Sequence, residues 1–573
     1  MKKSILLFLG AICIASSLFA QQRTATYFQK VYNAVPINND TAIFIFNSIA
    51  RAANGDYGIL ATYQSRTNAG DMAIIRTDSL GVVKWVTNFA SDTTEAGTGI
   101  RATPDGGFVI SGSTIPPFNP LLGEMVMTKV DANGNIRWGN QYGLADDYEI
   151  ASDLAVLNNG NIMLVGEGPA VPGGVLLGYF IITRSDGSPE DGRFVRFGNA
   201  PAPIKAIDKT TDGGAILAGQ TGLFTQSTFN DACLVKINAQ GAVQWGKRYN
   251  LEGVQFCSTV LAASDGGYVL AGQGTFQRGP GERQRGFYIY KTRNDGTLQW
   301  AKSYARPNNI FSFVKSSIEL NDGYLMMGYT TVGIDTLRYR TPSGNDTIVL
   351  RDRNNLMAMK TNFNGDVLWA KTYGDSLRTI GVPDEMGVTK SHSGGFALVS
   401  EYYGAGLLSR GGGLLVHADP NGNIGNATNC QIRNLSYVVF SHTPTDSSNV
   451  NVTEAGEEVP NNLRRGTFNL QVATLCSGTG IHTNTADNRL PDAAVQVYPN
   501  PTQGDLFIEF DKDLVGEAAK TRIELLDLTG RLIYQQETHQ ENIKITPPQY
   551  AKGFYFLKIE RAGKFLVKKI VVE

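Results

Sequence analysis

Short apolar runs alternate with glycine-marked turns along most of this chain. In one stretch Asp105-Gly106-Gly107 opens Phe108-Val109-Ile110-Ser111-Gly112, the composition expected of a strand buried on both faces. A loop leads to a second run, Met125-Val126-Met127-Thr128-Lys129-Val130. Asp131-Ala132-Asn133-Gly134 then predicts a tight hairpin, since Asn-Gly supplies the positive φ such turns need. A strand from Asn135 to Tyr142 carries Trp138, and another, roughly Ile150 to Leu157, opens the next unit. The turn glycine recurs at Gly55, Gly106, Gly160, Gly213, Gly266, Gly323 and Gly394, with successive spacings of 51, 54, 53, 53, 57 and 71 residues. A period near 50 built of short strands implies a radial array, because one such unit cannot bury its own faces.

All five tryptophans, Trp85, Trp138, Trp245, Trp300 and Trp369, stand four residues after a hairpin glycine. Four of them begin a Trp-x-x-x-Tyr pattern ending at Tyr142, Tyr249, Tyr304 and Tyr373. The third repeat reads as having Phe194 for tryptophan and one extra hairpin residue. The seventh has Gly425 in that place and no such strand after it, while an orphan copy, Phe28-Gln29-Lys30-Val31-Tyr32, precedes the first repeat. Residues near 26–33 are therefore expected to complete the last unit, since an unclosed ring leaves an exposed strand edge. The predicted fold is all-β: a seven-bladed β-propeller over residues 21–428, resembling secreted propellers of kelch-like or similar repeat type.

Composition places the protein outside the cytoplasm and narrows its partners. Lys2-Lys3 and the apolar run Ile5 to Phe19 read as a signal peptide of residues 1–20. No later apolar run reaches the length of a membrane span. Without Lys2 and Lys3 the 51 basic residues become 49 against 52 acidic ones, a net charge of −3, which gives no case for nucleic acid or anionic lipid. Export makes disulfides possible. Residues 429–492 hold two strand-like runs between Cys430 and Cys476, expected to form a small flap and linker, and the two cysteines are expected to pair. Cys233 and Cys257 are left open between a bridge and buried thiols.

Candidate chemistry is sparse. A basic residue accompanies every hairpin: Arg76, Lys129, Arg184, Lys236, Lys291, Lys360 and His417. Seven cations could ring an anion, but in the tryptophan-bearing repeats the residue lies nine positions before the indole. Across a two-residue turn the two are opposed, with the cation over the ring. Acidic residues gather at the crossings between repeats, namely Glu95, Asp146, Asp147, Glu149, Asp384 and Glu385. Glu95, Asp147, Glu149 and Glu385 are the candidate ligand-binding set, near a central channel, with solvated loop charge as the plain alternative. Variable loops, Gln277 to Gly286 and about Thr330 to Asn355, are expected to open on the same face. Hairpins such as Asp131 to Asn135 and Asp419 to Asn423 faintly resemble calcium loops but lack the distal glutamate. No other cofactor is suggested, and no nucleophile elbow, zinc helix or phosphate loop occurs.

From about residue 493 the pattern changes to a compact β-sandwich of some seven strands. Its landmarks are Tyr498-Pro499-Asn500-Pro501, Asp527-Leu528-Thr529-Gly530-Arg531, Gly553-Phe554-Tyr555 and the terminal Lys568-Lys569-Ile570-Val571-Val572. These motifs resemble the C-terminal sorting domain of the type IX secretion system of Bacteroidota. The resemblance implies passage through the periplasm to the medium or outer-membrane surface by the type IX machinery, with the domain then cleaved or exchanged for a lipopolysaccharide anchor. The leading functional expectation is a secreted or surface protein that binds an extracellular glycan, protein or polymer without catalysis. The alternative is a carbohydrate-active hydrolase or lyase using carboxylates at the channel mouth.

Overall fold

The computed structural model describes residues 23–572 apart from 35–42, 65–69, 91–93, 116–122, 144–147, 170–173, 223–229, 252, 280–281, 341–345, 374–385, 403–411, 426–431, 449, 455–456, 461–463, 467–469, 483–494, 503, 511–519, 528–531, 541, 547–551 and 562–563. The proposed signal peptide, Asp146, Asp147, Asp384, Glu385 and Cys430 lie outside the described residues. The protein is all-β, with no α-helix among the described residues. It divides into two units, one of Thr24–Gly480 and one of Met1–Arg23 with Ile481–Glu573.

Among the described residues the larger unit holds seven antiparallel sheets. In sheet 1 the order is Ile43–Arg51, Tyr57–Gln64, Asp71–Thr77 and Val83–Ala90. The described strands within residues 94–143, 150–201, 204–250, 253–305 and 312–373 form sheets 2 to 6 in the same consecutive way. Sheet 7 takes Met386–Lys390, Phe396–Tyr402 and Gly412–Ala418 from the end of the repeats and Arg23–Ala34 from the beginning. Phe28 pairs with His417 and Tyr32 with Gly413, so the orphan segment supplies the fourth strand of sheet 7.

Every repeat core is shared between two sheets. Ile59 packs into the core joining sheet 1 to sheet 7, and the next residue, Leu60, into the core joining sheet 1 to sheet 2. Successive side chains of a strand point to opposite faces, so burial on both sides makes the strand apolar without interruption. Further cores join sheets 2 and 3, 3 and 4, 4 and 5, 5 and 6, and 6 and 7.

A second contact, on the fourth strands, explains the Trp-x-x-x-Tyr pattern. The Trp300 indole N–H donates to the Phe363 carbonyl of the next sheet's hairpin at 3.1 Å, and the Tyr304 hydroxyl donates to the Gly365 carbonyl at 2.6 Å. Tyr142, Tyr249 and Tyr373 donate likewise to Gly187, Gly296 and Gly422. Sheet 1 uses Thr87 on Gly134, and the N-terminal strand supplies Tyr32 on Gly81 at 2.7 Å. These hairpin glycines have φ between 71° and 87°, and the rings sit where a Cβ would go. In the third repeat Asp191, opposite Ile182, meets Gly241, so it occupies the tryptophan position rather than Phe194. Phe194 lies three residues further on, opposite Tyr179, and the hairpin needs no extra residue.

Residues 432–482 differ most from expectation. Instead of a flap with two strands, they add one further strand to every sheet in reverse chain order, the fifth in six sheets and the sixth in sheet 3, where Ala200–Pro201 also pairs with Pro189–Phe197. Ile432–Asn434 joins sheet 6, Val438–His442 sheet 5, Thr445–Ser447 sheet 4 and Val450–Glu454 sheet 3. Glu457–Pro460 joins sheet 2, Arg464–Gly466 sheet 1 and Leu470–His482 sheet 7. This belt covers the edges that fourth strands otherwise leave unpaired. Two expected loops are likewise strands: Tyr268–Gly279 pairs with Glu282–Thr292, and Gly323–Arg340 with Asp346–Thr361, as prolonged hairpins.

The smaller unit has seven described strands in two sheets around one core, with Val495, Leu506, Ile508 and Ile543 from one sheet and Leu525, Leu557, Ile559 and Ile570 from the other.

Ring stacking on the hairpin glycine can be separated from its backbone cost. Gly134 and Gly160 have φ of 80° and 88°, but a Cβ on Gly134 falls 2.9 Å from the Trp85 ring, while one on Gly160 meets nothing within 4 Å. Gly160→Ala should cost roughly 1–2 kcal/mol from the left-handed backbone alone. Gly134→Ala should cost clearly more in chemical denaturation, and equal losses would contradict the stacking role.

Candidate functional site

The first strands of all seven sheets line one cavity of about 950 Å³. Six of these strands carry a β-bulge at the same place, around Asn47, Thr98, Ser152, Lys205, Ser258 and Lys315. A bulge re-aims the strand's side chains, and five of the six bulged residues line the cavity. The wall is therefore rich in hydroxyls, with charge at set positions. The residue four before each turn glycine always lines it, and this is charged at Arg51, Lys209, Glu319 and Lys390.

Several acids in this wall hold neighbouring strands together. Asp153 accepts from Arg101 at 2.8 Å and from the Leu154 and Ile207 N–H groups at 2.8 and 3.3 Å. Asp208 accepts from the Ala262 and Lys209 N–H groups, both at 2.9 Å. Burial raises both carboxyls above the ordinary carboxylate range, against the pull of Arg101 and the backbone donors. Glu319 accepts from the Ser264 N–H at 2.7 Å and from the Ser264 hydroxyl.

The acids singled out from sequence take different places. Glu95 and Glu149 are equivalent and fully buried rather than solvated, at 0% exposure. Their N–H groups donate to Gly70 and Gly123 carbonyls at 2.9 and 2.7 Å. Glu149 lines the cavity, with Gly143 and Gly168 closing around its side chain. Glu95 does not, although its neighbour Ala96 does. Asp147 and Glu385 cannot be placed beside them, being outside the described residues. The Asp131 and Asp419 carboxylates accept from N–H groups of their own hairpins, and no group of acids close enough to hold a metal occurs among the described residues. Cys476 is disulfide-bonded, while Cys233 and Cys257 are buried thiols. Burial pushes the Cys257 thiol up to about 12, so it is unreactive.

The hairpin cations have the expected register but not the expected partner. Arg76, Lys129, Lys236, Lys291 and Lys360 stand directly opposite the five tryptophans. Each instead pairs with an aspartate of its own sheet's first turn: Asp56, Asp105, Asp212, Asp265 and Asp322, at 2.7 to 2.9 Å. A direct charge pair outweighs an indole face here. Lys302 and Lys371, two residues along the same strand, are the cations over Trp300 and Trp369. Arg184 lies in its hairpin and pairs with Glu190 at 3.0 Å. His417 has no ion-pair partner among the described residues. It is buried against Tyr27, Phe28 and Tyr57, with Nε2 3.2 Å from the Ser393 hydroxyl.

In the smaller unit the sequence landmarks meet. The Asn500 amide donates to the Lys569 carbonyl at 2.8 Å and accepts from the Val571 N–H at 2.9 Å, tying Pro-Asn-Pro to the basic last strand. A family model described as a secretion system C-terminal sorting domain matches residues 496–573. The tail is a type IX sorting domain. It marks the protein for secretion or the cell surface and for handling by the type IX machinery. No helix among the described residues is long and apolar enough to cross a membrane.

No curated protein matches the chain. Of the solved structures that match in part, three illustrate the range. A protein of unknown function from Dyadobacter fermentans is 12% identical, with 58% of this chain and 99% of that one covered and a TM-score of 0.30. PorZ, an essential surface component of the type IX secretion system of Porphyromonas gingivalis, is 11% identical, with 95% and 86% covered and a TM-score of 0.18. A xylan β-1,4-xylosidase from Bacillus halodurans is 10% identical, with 78% and 100% covered and a TM-score of 0.23. None superposes closely enough to bear on the activity of the chain carrying this sorting domain.

His417 makes closure of sheet 7 sensitive to acid. Burial lowers its pKa to about 4, opposed only by a hydrogen bond with the Thr26 backbone. Above pH 6.5 the imidazole is neutral both folded and unfolded, so it adds no pH dependence there. Between 6.5 and 4 the unfolded chain takes up a proton that the folded one refuses, and stability falls by up to about 3 kcal/mol. A neutral replacement, His417→Gln, should lose this component. The stability gap between wild type and variant should narrow from pH 7 to pH 4 in urea titrations, and a constant gap would contradict it.

Proposed function

We propose that residues 24–480 form a seven-bladed β-propeller that binds an extracellular polymer, a glycan above all, in the cavity between its first strands. The carrying observation is that one cavity of about 950 Å³ is lined by the first strand of every sheet. Its size falls within the ordinary range for ligand sites. Cores pairing each sheet with the next, and sheet 7 with sheet 1, support the ring, as does the chain of fourth-strand contacts ending with Tyr32 on Gly81. A hydroxyl-rich wall suits a hydroxyl-rich ligand. Binding is favoured over hydrolysis because Asp153, Asp208 and Glu319 are engaged in holding adjacent strands. A Cys430–Cys476 disulfide would secure the two ends of the belt, and the tail would be cleaved or exchanged for a surface anchor after export.

Filling the cavity tests this directly. Ser316 lines the wall, and Ser316→Trp should abolish retention of polysaccharides that the wild type holds on a glycan array, at an unchanged unfolding midpoint. Retention by the folded variant would place binding elsewhere. Release of reducing ends by the wild type would favour the hydrolase.

A further inference from the structure

The charged residues of the cavity are unevenly neutralised. Six cations line it against four carboxylates, Glu149, Asp153, Asp208 and Glu319. Arg101 pairs with Asp153 and Lys205 with Glu167, at 2.8 and 2.9 Å. Arg51, Lys209, Lys315 and Lys390 have no ion-pair partner among the described residues. Asp208 accepts from N–H groups of its own and the adjacent strand, Glu319 from the Ser264 N–H in the first turn of sheet 5, and Glu149 lies at the crossing end, away from the first turns.

Three of the unpaired cations share one rim. Arg51, Lys209 and Lys390 occupy the same repeat position, four residues before the turn glycine, and all are exposed. Arg51 reaches across from sheet 1 to donate to the Ser391 carbonyl at 3.0 Å, beside Lys390 of sheet 7. Lys315 lies deeper, at the bulge of sheet 6. A ligand threading the cavity thus meets positive charge at the turn-side mouth and then a wall of hydroxyls, including Ser152, Ser258 and Ser316. A mature chain of net negative charge has no general affinity for anions, so the local excess is specific to this site.

We infer that the cavity takes an anionic saccharide, with acid groups on Arg51, Lys209 and Lys390 and sugar hydroxyls on the serine-rich wall. The inference rests on the polymer-binding function proposed above and narrows its ligand. An acidic peptide would meet the same cations but would leave the hydroxyl wall poorly used. Cations at an exposed rim attract over the screening length, so binding should weaken as salt rises.

Calorimetry on the full mature chain can decide, with an oligogalacturonate, its neutral methyl ester, a sulfated galactan oligosaccharide and poly-glutamate as probes. At least one acidic saccharide should bind about tenfold more tightly than the ester, equivalent to one exposed charge contact or two. The Lys209→Gln/Lys390→Gln variant should lose about that factor for the acid while its affinity for the ester and its unfolding midpoint stay unchanged. Equal affinity for acid and ester, or an unaffected variant, would overturn the anion preference and leave polymer binding standing. Poly-glutamate bound as tightly as the acidic saccharide would overturn the saccharide class. Failure of every saccharide, charged or neutral, would remove the binding function itself.

Discussion

A fourth-strand ring laid on a hairpin glycine of the neighbouring sheet is the contact on which the larger unit depends. The contact needs three things at once. An aromatic or hydroxyl side chain must end in a donor, the partner must lack a Cβ, and the partner carbonyl must face it. Tyr304 on Gly365 and Tyr32 on Gly81 meet all three at 2.6 and 2.7 Å. Each such hydrogen bond contributes only about 1 kcal/mol net. Its larger effect is to fix the distance between consecutive sheets, so that the apolar faces behind it close into shared cores. The N-terminal strand supplies the same contact from the other end of the repeats, and sheet 7 would lack its fourth strand without it.

The belt depends on that arrangement in turn. Short strands of three to five residues, such as Ile432–Asn434 and Arg464–Gly466, cannot hold alone. They persist because each finds a fourth strand held at a repeating spacing. Tyr373 pairs with Ile432, Tyr304 with Val439 and Tyr249 with Asp446, so the residue that reaches the next sheet also anchors the belt. On the opposite side, bulged first strands leave a cavity whose character is set by one residue per repeat. The inter-sheet contact and the proposed binding site therefore lie on different strands of each sheet, the fourth and the first.

Much of the fold was legible in the chain, and the reasons are physical. Turn and hairpin glycines are forced by positive φ, and apolar runs by burial on both faces, so Phe108 to Gly112 and Met125 to Val130 read correctly as strands. The orphan Phe28 to Tyr32 was legible because its spacing copies the contact it makes. The belt was not, since its strands carry no alternation that distinguishes them from a linker. Repeat three was misaligned because Phe194 looks like the missing aromatic while Asp191 stands in its place. The hairpin cations were assigned to indoles because register shows what lies opposite but not the aspartate one turn away. Arg51, Lys209 and Lys390 were overlooked as a set, although their constant distance from the turn glycine was available as a signal.

Tyr32→Ala followed by hydrogen exchange tests the proposed closed ring most directly. Tyr32 belongs to sheet 7, and its hydroxyl is bonded to Gly81 of sheet 1. A ring joined by these contacts predicts that protection falls in both Gly412–Ala418 and Asp71–Thr77, segments far apart in sequence, and least in sheet 4. Protection lost from sheet 7 alone, with sheet 1 unchanged, would contradict it.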